Sequence, residues 1–479
     1  MTLRSQEEAD ANRVAIDPSS GRFRKLLCYY GDDFTGSTDV LESLFRVGVK
    51  TALFLDPPDD EQLREERYAS LDAFGVAGIG RSLIPEEAER ELRPIFESLK
   101  RAGAAIIHYK ICSTFDSSPE IGNIGVAARM GRETFGGRYI PLLVGVPYLG
   151  RYTLFGNHFA KSGTEVHRLD RHPTMSKHPI TPMKEADLRK HLAEQSDDRI
   201  SLFDIMALAG KLPDVRMRLE RQVMKEQPDM LLFDVLDEER LETTGHLLWE
   251  EALSSNEGSF LIGSSGIEYA LGACWKSLQL PELQPEVRTS VSSVERLLVV
   301  SGSCSPVTEA QIRDAVASGF VGIRVPVHKL IDTEFAAQTS QQLLEEAKEQ
   351  LEMGRSVLLY SATGPHDSSI EQLRSALVAG GFRAEDSSKL LGGILGSLAR
   401  SLLIETGLTR LVIAGGDTSG YVTRELGICS LECTAVLTPG APLCRAASEH
   451  PQLDGLELVL KGGQVGGIDF FSRVKNGER

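Results

Sequence analysis

From Leu26 onward the chain alternates short apolar runs with longer stretches whose apolar residues recur at helical spacing. In the first half the runs expected as strands are Leu26–Tyr30, Thr51–Leu55, Ala73–Ile79, Ala104–Tyr109, Tyr139–Val144, Met230–Val235 and Ser259–Ile262. Amphipathic segments such as Glu86–Ala102 and Asp187–Gln195 lie between them. A second series contains Leu297–Ser301, Val321–Val325, Ser356–Tyr360, Arg410–Ala414, Cys433–Leu437 and Leu456–Leu460, with helices expected over Val307–Ala317, Thr339–Met353 and Lys389–Thr406. Strands that alternate with helices pair in parallel as βαβ units. The fold class expected is therefore α/β, with two three-layer domains built on mostly parallel sheets. Leu278–Ser290 carries two prolines among polar residues and reads as a linker. The division expected is a flexible leader over 1–24, a first domain over 25–277, a linker over 278–293 and a second domain over 294–479. No period of 20–50 residues marks a repeat array.

The regularity breaks between Gly145 and Met183, a stretch rich in Gly, Pro, His, Arg and aromatic residues. X-Pro steps there disfavour helix, and a loop of this length in a compact domain commonly serves function. Its cations make it a candidate flap over an anionic substrate; the alternative is a structural excursion packed on a neighbour or a second copy. His172 and His178 lack the i, i+4 helical spacing that would pair them on a metal.

Composition narrows the field. The chain has 479 residues and a formal net charge of −16, which argues against nucleic acid or an anionic membrane as the main partner. A small anionic ligand remains compatible, since it needs only local positive potential. No apolar run approaches the roughly 20 residues of a membrane span. Met1–Arg24 is polar, without an apolar signal core, so a cytoplasmic location is expected. The seven cysteines are scattered and form no Cys-x-x-Cys, which favours reduced thiols over disulfides or zinc.

The candidate chemistry lies just after strands. Leu26–Tyr30 leads into Gly31-Asp32-Asp33-Phe34-Thr35-Gly36, and then into a helix start marked by Ser37-Thr38-Asp39. In open α/β sheets ligands bind at the carboxyl ends of strands. Two adjacent carboxylates there can orient hydroxyls, hold a cation or accept a proton, although one of them can equally serve as a helix cap. The strand Ala104–Tyr109 runs into Lys110-Ile111-Cys112-Ser113-Thr114-Phe115-Asp116-Ser117. Lys110 offers a charge for a carboxylate; Ser113, Thr114, Asp116 and Ser117 offer partners for hydroxyls. Four strand ends in the second half carry small polar loops: Ser301-Gly302-Ser303, Ser361-Ala362-Thr363-Gly364, Gly415-Gly416-Asp417-Thr418 and Lys461-Gly462-Gly463. Glycine lets backbone N–H groups approach phosphate oxygens, and hydroxyls add donors. A P-loop, a dinucleotide fingerprint and the protein-kinase motifs are all missing, so a nucleotide here calls for a less common fold.

Taken together these stretches resemble the four-carbon acid sugar kinase family, DUF1537, in the form of its 3-oxo-tetronate kinase branch. Gly31–Gly36 with Asp39 resembles the family's N-terminal motif. Lys110 with Ser113–Ser117 and Gly122-Asn123-Ile124-Gly125 resembles its second, and His178-Pro179 with Thr181-Pro182-Met183 its His-Pro-x-Thr-Pro-Met loop. Gly302–Ser305, Gly415–Gly420 and Lys461–Gly463 resemble its nucleotide motifs. The match runs from about Leu26 to Phe471 and departs at Ser118–Gly122 and in the basic segment Arg151–Lys177. Both departures touch the substrate side, which keeps 3-oxo-isoapionate open beside 3-oxo-tetronate, D-threonate and D-erythronate.

The resemblance implies an acid-sugar-binding N-terminal domain, an ATP-binding C-terminal domain and an active site in the cleft between them. ATP with Mg²⁺ would donate a phosphoryl group to a sugar-acid hydroxyl. Asp32 or Asp33 would accept the hydroxyl proton. Thr35, Lys110, Ser113, Thr114, Asp116, Ser117, Arg168, Arg171 and His178 would bind the acid. Ser301, Gly302, Ser303, Thr363, Gly364, Gly415, Gly416, Asp417, Thr418, Gly462 and Gly463 would surround the nucleotide. No protein-held metal site is expected, and a homodimer is left open. The rivals are a two-domain oxidoreductase, which the missing fingerprint disfavours, and a non-catalytic two-lobed sugar-acid-binding protein.

Overall fold

The structure, a computed structural model, describes residues 23–178, 180–280, 291–331, 336–382 and 386–478, apart from the side chain of Asp417. The expected leader and the Pro-rich part of the linker lie outside these residues almost entirely. The described chain falls into two compact units. The first holds the chain up to Gly36, Val47–Thr51 and Pro57–Pro285; the second holds Ser37–Arg46, Ala52–Asp56 and Glu286–Arg479. Two short early segments thus group with the second unit, although they precede most of the first in sequence.

In chain order the strands up to residue 263 are β1 (Lys25–Gly31), β2 (Thr51–Phe54), β3 (Ala73–Ala77), β4 (Ala104–Lys110), β5 (Ile140–Leu143), β6 (Arg151–Leu154), β7 (Asn157–Ser162), β8 (Glu165–Arg168), β9 (Ile200–Phe203), β10 (Met230–Phe233) and β11 (Ser259–Gly263). The first unit carries a parallel sheet in the order β3-β1-β4-β11-β5-β10-β9. β3, β4 and β11 are buried along their whole length, and β4 takes His108 and Lys110 into that interior with its apolar residues. The covering helices read directly from their ends. Pro85–Ala102 opens on proline with Glu86 and Glu87 in its first turn, and closes with Lys100, Arg101 and a left-handed Gly103. Its Leu92, Ile95, Phe96 and Leu99 form the buried stripe.

The stretch expected as a loop between Gly145 and Met183 contains a second, antiparallel sheet, β6-β7-β8. Its strands bury only one face: β7, Asn-His-Phe-Ala-Lys-Ser, alternates half-buried and buried residues over its first four positions. Such short, polar strands carry little apolar signal, so periodicity passes over them.

In the second unit the strands are β12 (Leu298–Ser301), β13 (Val321–Arg324), β14 (Val357–Tyr360), β15 (Arg410–Ala414), β16 (Ile428–Thr438), β17 (Ala441–Ser448) and β18 (Glu457–Lys461). β13-β14-β12-β15-β18 are parallel; β17 and β16 follow antiparallel, and Ala52–Phe54 of β2 pairs antiparallel with β16. The segment Cys433–Leu437, expected as one more parallel strand, is the middle of the hairpin β16–β17 that turns at Gly440 (φ 78°). The core here joins Val299, Leu358, Val412 and Val459 of the sheet to Ile312, Phe470 and Val474 of the helices. The expected α/β class with mostly parallel sheets matches the architecture. Among the described residues no helix is long and apolar enough to cross a membrane.

Candidate functional site

Three neighbouring strands of the first unit end in one place. β1 delivers Asp32 and Asp33, β4 ends on Lys110, and the loop after β3 supplies Arg81. The backbone stitches them: Asp32 N–H donates to the Lys110 carbonyl (2.9 Å) and Arg81 N–H to that of Asp32 (2.9 Å). Asp33 Oδ1 accepts from the Gly36 N–H (3.1 Å), so this residue does cap the helix Phe34–Arg46. Its Oδ2 pairs with Arg81 at 3.0 Å, and the other end of that guanidinium lies 3.8 Å from Asp116. The Lys110 ammonium, 2% exposed, donates to the carbonyl of Ile111 at 2.9 Å.

Asp32 stands apart from its neighbour. It is 3% exposed, and its Oδ1 has no hydrogen-bond partner among the described residues. Burial, reinforced by the adjacent Asp33 and opposed by Arg81 and Lys110, pushes its pKa up to about 8. The Asp33 carboxylate holds Arg81 charged, well above its ordinary range. Asp116 Oδ1 is likewise buried without a partner. Two carboxylate oxygens thus point inward with nothing to accept from, beside two cations. A polyhydroxy compound supplies the hydroxyl donors that these two oxygens lack. The Cys112 thiol, pushed up to about 11 by burial, stays protonated and is no nucleophile.

The loop after β4 is clamped from behind. Phe115 adopts φ 58° while fully buried, a strained conformation for a residue of its size. His158 of β7, also fully buried, reaches the Ser113 carbonyl through Nε2 (2.8 Å) and the Thr153 hydroxyl through Nδ1 (3.0 Å). Burial lowers its pKa to about 4, so it is neutral. Ser117 contacts the Phe115 carbonyl, His191 and Gln195 at 2.9–3.1 Å, which uses the capacity of one hydroxyl. Thr114 Oγ1 lies 2.9 Å from Cys112 Sγ. Thr35 sits half-buried in the first helical turn. Arg168 bonds Asp170 within its own segment, Arg171 is exposed, and His178 Nδ1 accepts from the Thr181 N–H (3.1 Å). Of the residues expected on the substrate side, the structure gathers Asp32, Asp33, Lys110 and Asp116, commits Ser117 to Phe115, His191 and Gln195 and His178 to Thr181, and turns Arg168 to Asp170. Arg81 is the residue that sequence reading missed. Its only signal was its place in a strand-end loop.

The second unit contains a cavity of about 530 Å³. Gly302, Ser303, Ser305, Gly415, Gly416 and Thr418 line one part of it, with Gly463 beside them. Glycine is needed where backbones close up: a Cβ on Gly302 would stand 2.4 Å from Thr418 Oγ1, and Gly415 has φ 133° at the start of the helix Gly416–Glu425. Ser305 caps the helix Pro306–Ala317, accepting from the Val307 and Thr308 N–H groups. Two helix N-termini and a glycine turn therefore surround one end, a setting suited to phosphates. Val327, Ile370, Leu373, Leu377, Val378 and Leu391 make another, apolar wall suited to a base. Ser301, Thr363, Gly364 and Gly462 do not line the cavity; Thr363 instead donates to Asp367 through N–H and hydroxyl (2.8 and 2.7 Å). The Asp417 side chain lies outside the described residues. The apolar wall comes from helices brought together only by tertiary packing, so no strand-end motif announced it.

Among the described residues no group of three His, Cys, Asp or Glu side chains could hold a metal ion. A Mg²⁺ that arrives with a triphosphate needs fewer, since it is commonly held by one or two carboxylates plus phosphate oxygens and waters.

Residues 27–271 match a family described as a sugar-binding N-terminal domain, and residues 298–471 one described as a nucleotide-binding C-terminal domain. The chain is 44% identical over 452 residues to a 3-oxo-isoapionate kinase of Paraburkholderia graminis, covering 94% of each chain. It is 28% identical to a 3-oxo-tetronate kinase of Pseudomonas savastanoi pv. phaseolicola, over 94% of this chain and 97% of the relative. A crystal structure from Salmonella typhimurium LT2 superimposes with a TM-score of 0.75 at 25% identity, over 95% of this chain and 99% of that one. A Haemophilus influenzae structure of the DUF1537 family follows at 0.69 and 22%, over 93% of this chain and 98% of that one.

Proposed function

We propose that this chain, which belongs to the DUF1537 family of sugar-acid kinases, transfers the γ-phosphoryl group of ATP to a hydroxyl of a small branched or four-carbon sugar acid. The observation that carries the reading is the buried cluster of Asp32, Asp33, Arg81, Lys110 and Asp116 at one set of strand ends. The glycine-lined cavity of the second unit supports the nucleotide half.

Phosphoryl transfer is mostly a matter of positioning and charge neutralisation. Arg81 and Lys110 attract the substrate carboxylate. The unpartnered oxygens of Asp32 and Asp116 accept from its hydroxyls. Asp32 is assigned the transferred proton, because an acceptor works best with a pKa near the operating pH and with free lone pairs. Asp33, already holding the Gly36 N–H and Arg81, keeps the guanidinium in place. In the second unit, Gly302, Ser303, Gly415, Gly416, Thr418 and Gly463 present N–H and hydroxyl groups to the triphosphate. Mg²⁺ arriving with the triphosphate would supply charge neutralisation there.

The 44% identity to a 3-oxo-isoapionate kinase, against 28% to a 3-oxo-tetronate kinase, moves the favoured substrate from the linear to the branched acid. ADP release followed over 3-oxo-isoapionate, 3-oxo-tetronate, D-threonate and D-erythronate tests this. The highest kcat/KM is expected for 3-oxo-isoapionate; turnover of a tetronate alone would overturn that choice. ADP release with none of them would favour the non-catalytic binding protein.

A further inference from the structure

Lys461 ends β18 with its side chain fully buried. Its Nζ donates to Thr308 Oγ1 at 3.1 Å and lies 5.8 Å from the centre of the Phe470 ring. Thr308 passes its own proton to the Gly463 carbonyl (2.9 Å), which also accepts from the Ser305 hydroxyl (2.5 Å). Among the described residues no carboxylate pairs with this ammonium. Of the charged groups on the packed elements, Glu309 pairs with Arg313, Arg410 with Glu457, and Lys475 lies over the Phe320 ring.

A buried cation without a counter-charge is costly, and here burial pulls the pKa down to about 8. A chain that needed only packing would place methionine or leucine at this position. The relay from Lys461 ends on the one peptide where the glycine turn lines the cavity. With the Gly463 carbonyl held against the helix Pro306–Ala317, the N–H of Gln464, trans to it across the peptide, faces the opposite way.

We infer that Lys461 is a positioning residue for the nucleotide's phosphates: through Thr308 it fixes the Gly463 carbonyl and so orients the Gly462–Gln464 turn, while its ammonium supplies positive potential that the bound polyphosphate balances. This rests on the nucleotide reading of the cavity.

The test is calorimetric titration of ATP, ADP and adenosine into the wild-type protein, K461M and K461R. K461M is expected to bind ATP about tenfold or more weakly, the loss typical of a hydrogen bond to a charged group. The loss should shrink for ADP and vanish for adenosine, and K461R should recover part of it. Without nucleotide, K461M should melt no lower than wild type, since it removes an unbalanced charge. Unchanged ATP affinity, or an equal loss for all three ligands, overturns the inference. Should K461M fail to fold, T308V keeps the ammonium and cuts the relay; it should weaken ATP but spare adenosine, and an unaltered ATP affinity overturns the inference. A wild-type protein that binds no adenine nucleotide overturns the nucleotide reading itself.

Discussion

At the scale of single residues, two adjacent aspartates that the sequence could not tell apart have different surroundings. Asp33 is tied to Gly36 and Arg81, whereas Asp32 has a buried oxygen with no partner. If Asp32 accepts the proton, kcat/KM for the sugar acid should rise about tenfold per pH unit below about pH 8 and level off above it. Arg81→Met removes a cation that opposes the upward shift, so it should move this limb to higher pH. It should also raise KM for the acid roughly 10–100-fold, as expected for a lost charged hydrogen-bond partner, while leaving ATP affinity alone. Stability should move against activity. A folded pKa raised from 3.8 to about 8 costs nothing below pH 4, and the cost grows as pH rises toward 8. Asp32→Asn should therefore match wild type in denaturant unfolding at pH 4 and exceed it by ~1–3 kcal/mol at pH 9. Equal stability at both pH values would contradict the buried, unbalanced carboxylate. Asp32, Asp33, Lys110 and Asp116 were legible because each lies within a few positions of a strand end. Arg81 was not, because its partners are fixed by the β3-β1-β4 strand order, which a single sequence does not display.

At the scale of elements, the helix Phe34–Arg46 shows a local rule yielding to the site. Glycine at position 36 weakens a helix by about 1 kcal/mol relative to alanine. Yet a Cβ there would stand 2.3 Å from Asp33 Oδ1 and 2.9 Å from Lys110 Nζ. Gly36→Ala is expected to leave thermal unfolding near wild type while kcat/KM for the acid falls at least about tenfold, because both charged groups must move. A fall in melting temperature with unaltered kinetics would reverse that reading. The antiparallel sheet β6-β7-β8 makes the complementary point. His158 holds the Ser113 carbonyl from this sheet, so the stretch read as either a flap or a structural excursion packs here against the loop after β4. Its polar strands hid it from periodicity, just as the hairpin β16–β17 was hidden by a parallel pattern on either side. β4, β11, β12 and β15 were legible because burial on both faces makes each of them mostly apolar.

At the scale of the whole molecule, the proposed reaction draws on both units: the buried charged cluster of the first and the glycine-lined cavity of the second. With a net charge of −16, the proposed anionic substrate depends on local cations, and Arg81 and Lys110 are the ones the proposal assigns to it. Chelation with EDTA should abolish turnover, and added Mg²⁺ should restore it, because the triphosphate needs a cation that no described three-residue acidic or His/Cys cluster supplies. Turnover that persists under EDTA would contradict this. The most direct measurement is ADP release by wild type and Asp32→Asn with ATP and 3-oxo-isoapionate, alongside calorimetric titration of each ligand into both proteins. The account predicts that the variant binds ATP and the acid as wild type does and loses at least about a hundredfold in kcat, the usual share of a positioned acid or base. Wild-type turnover by Asp32→Asn, or a wild-type protein that binds ATP and the acid yet releases no ADP, would contradict it.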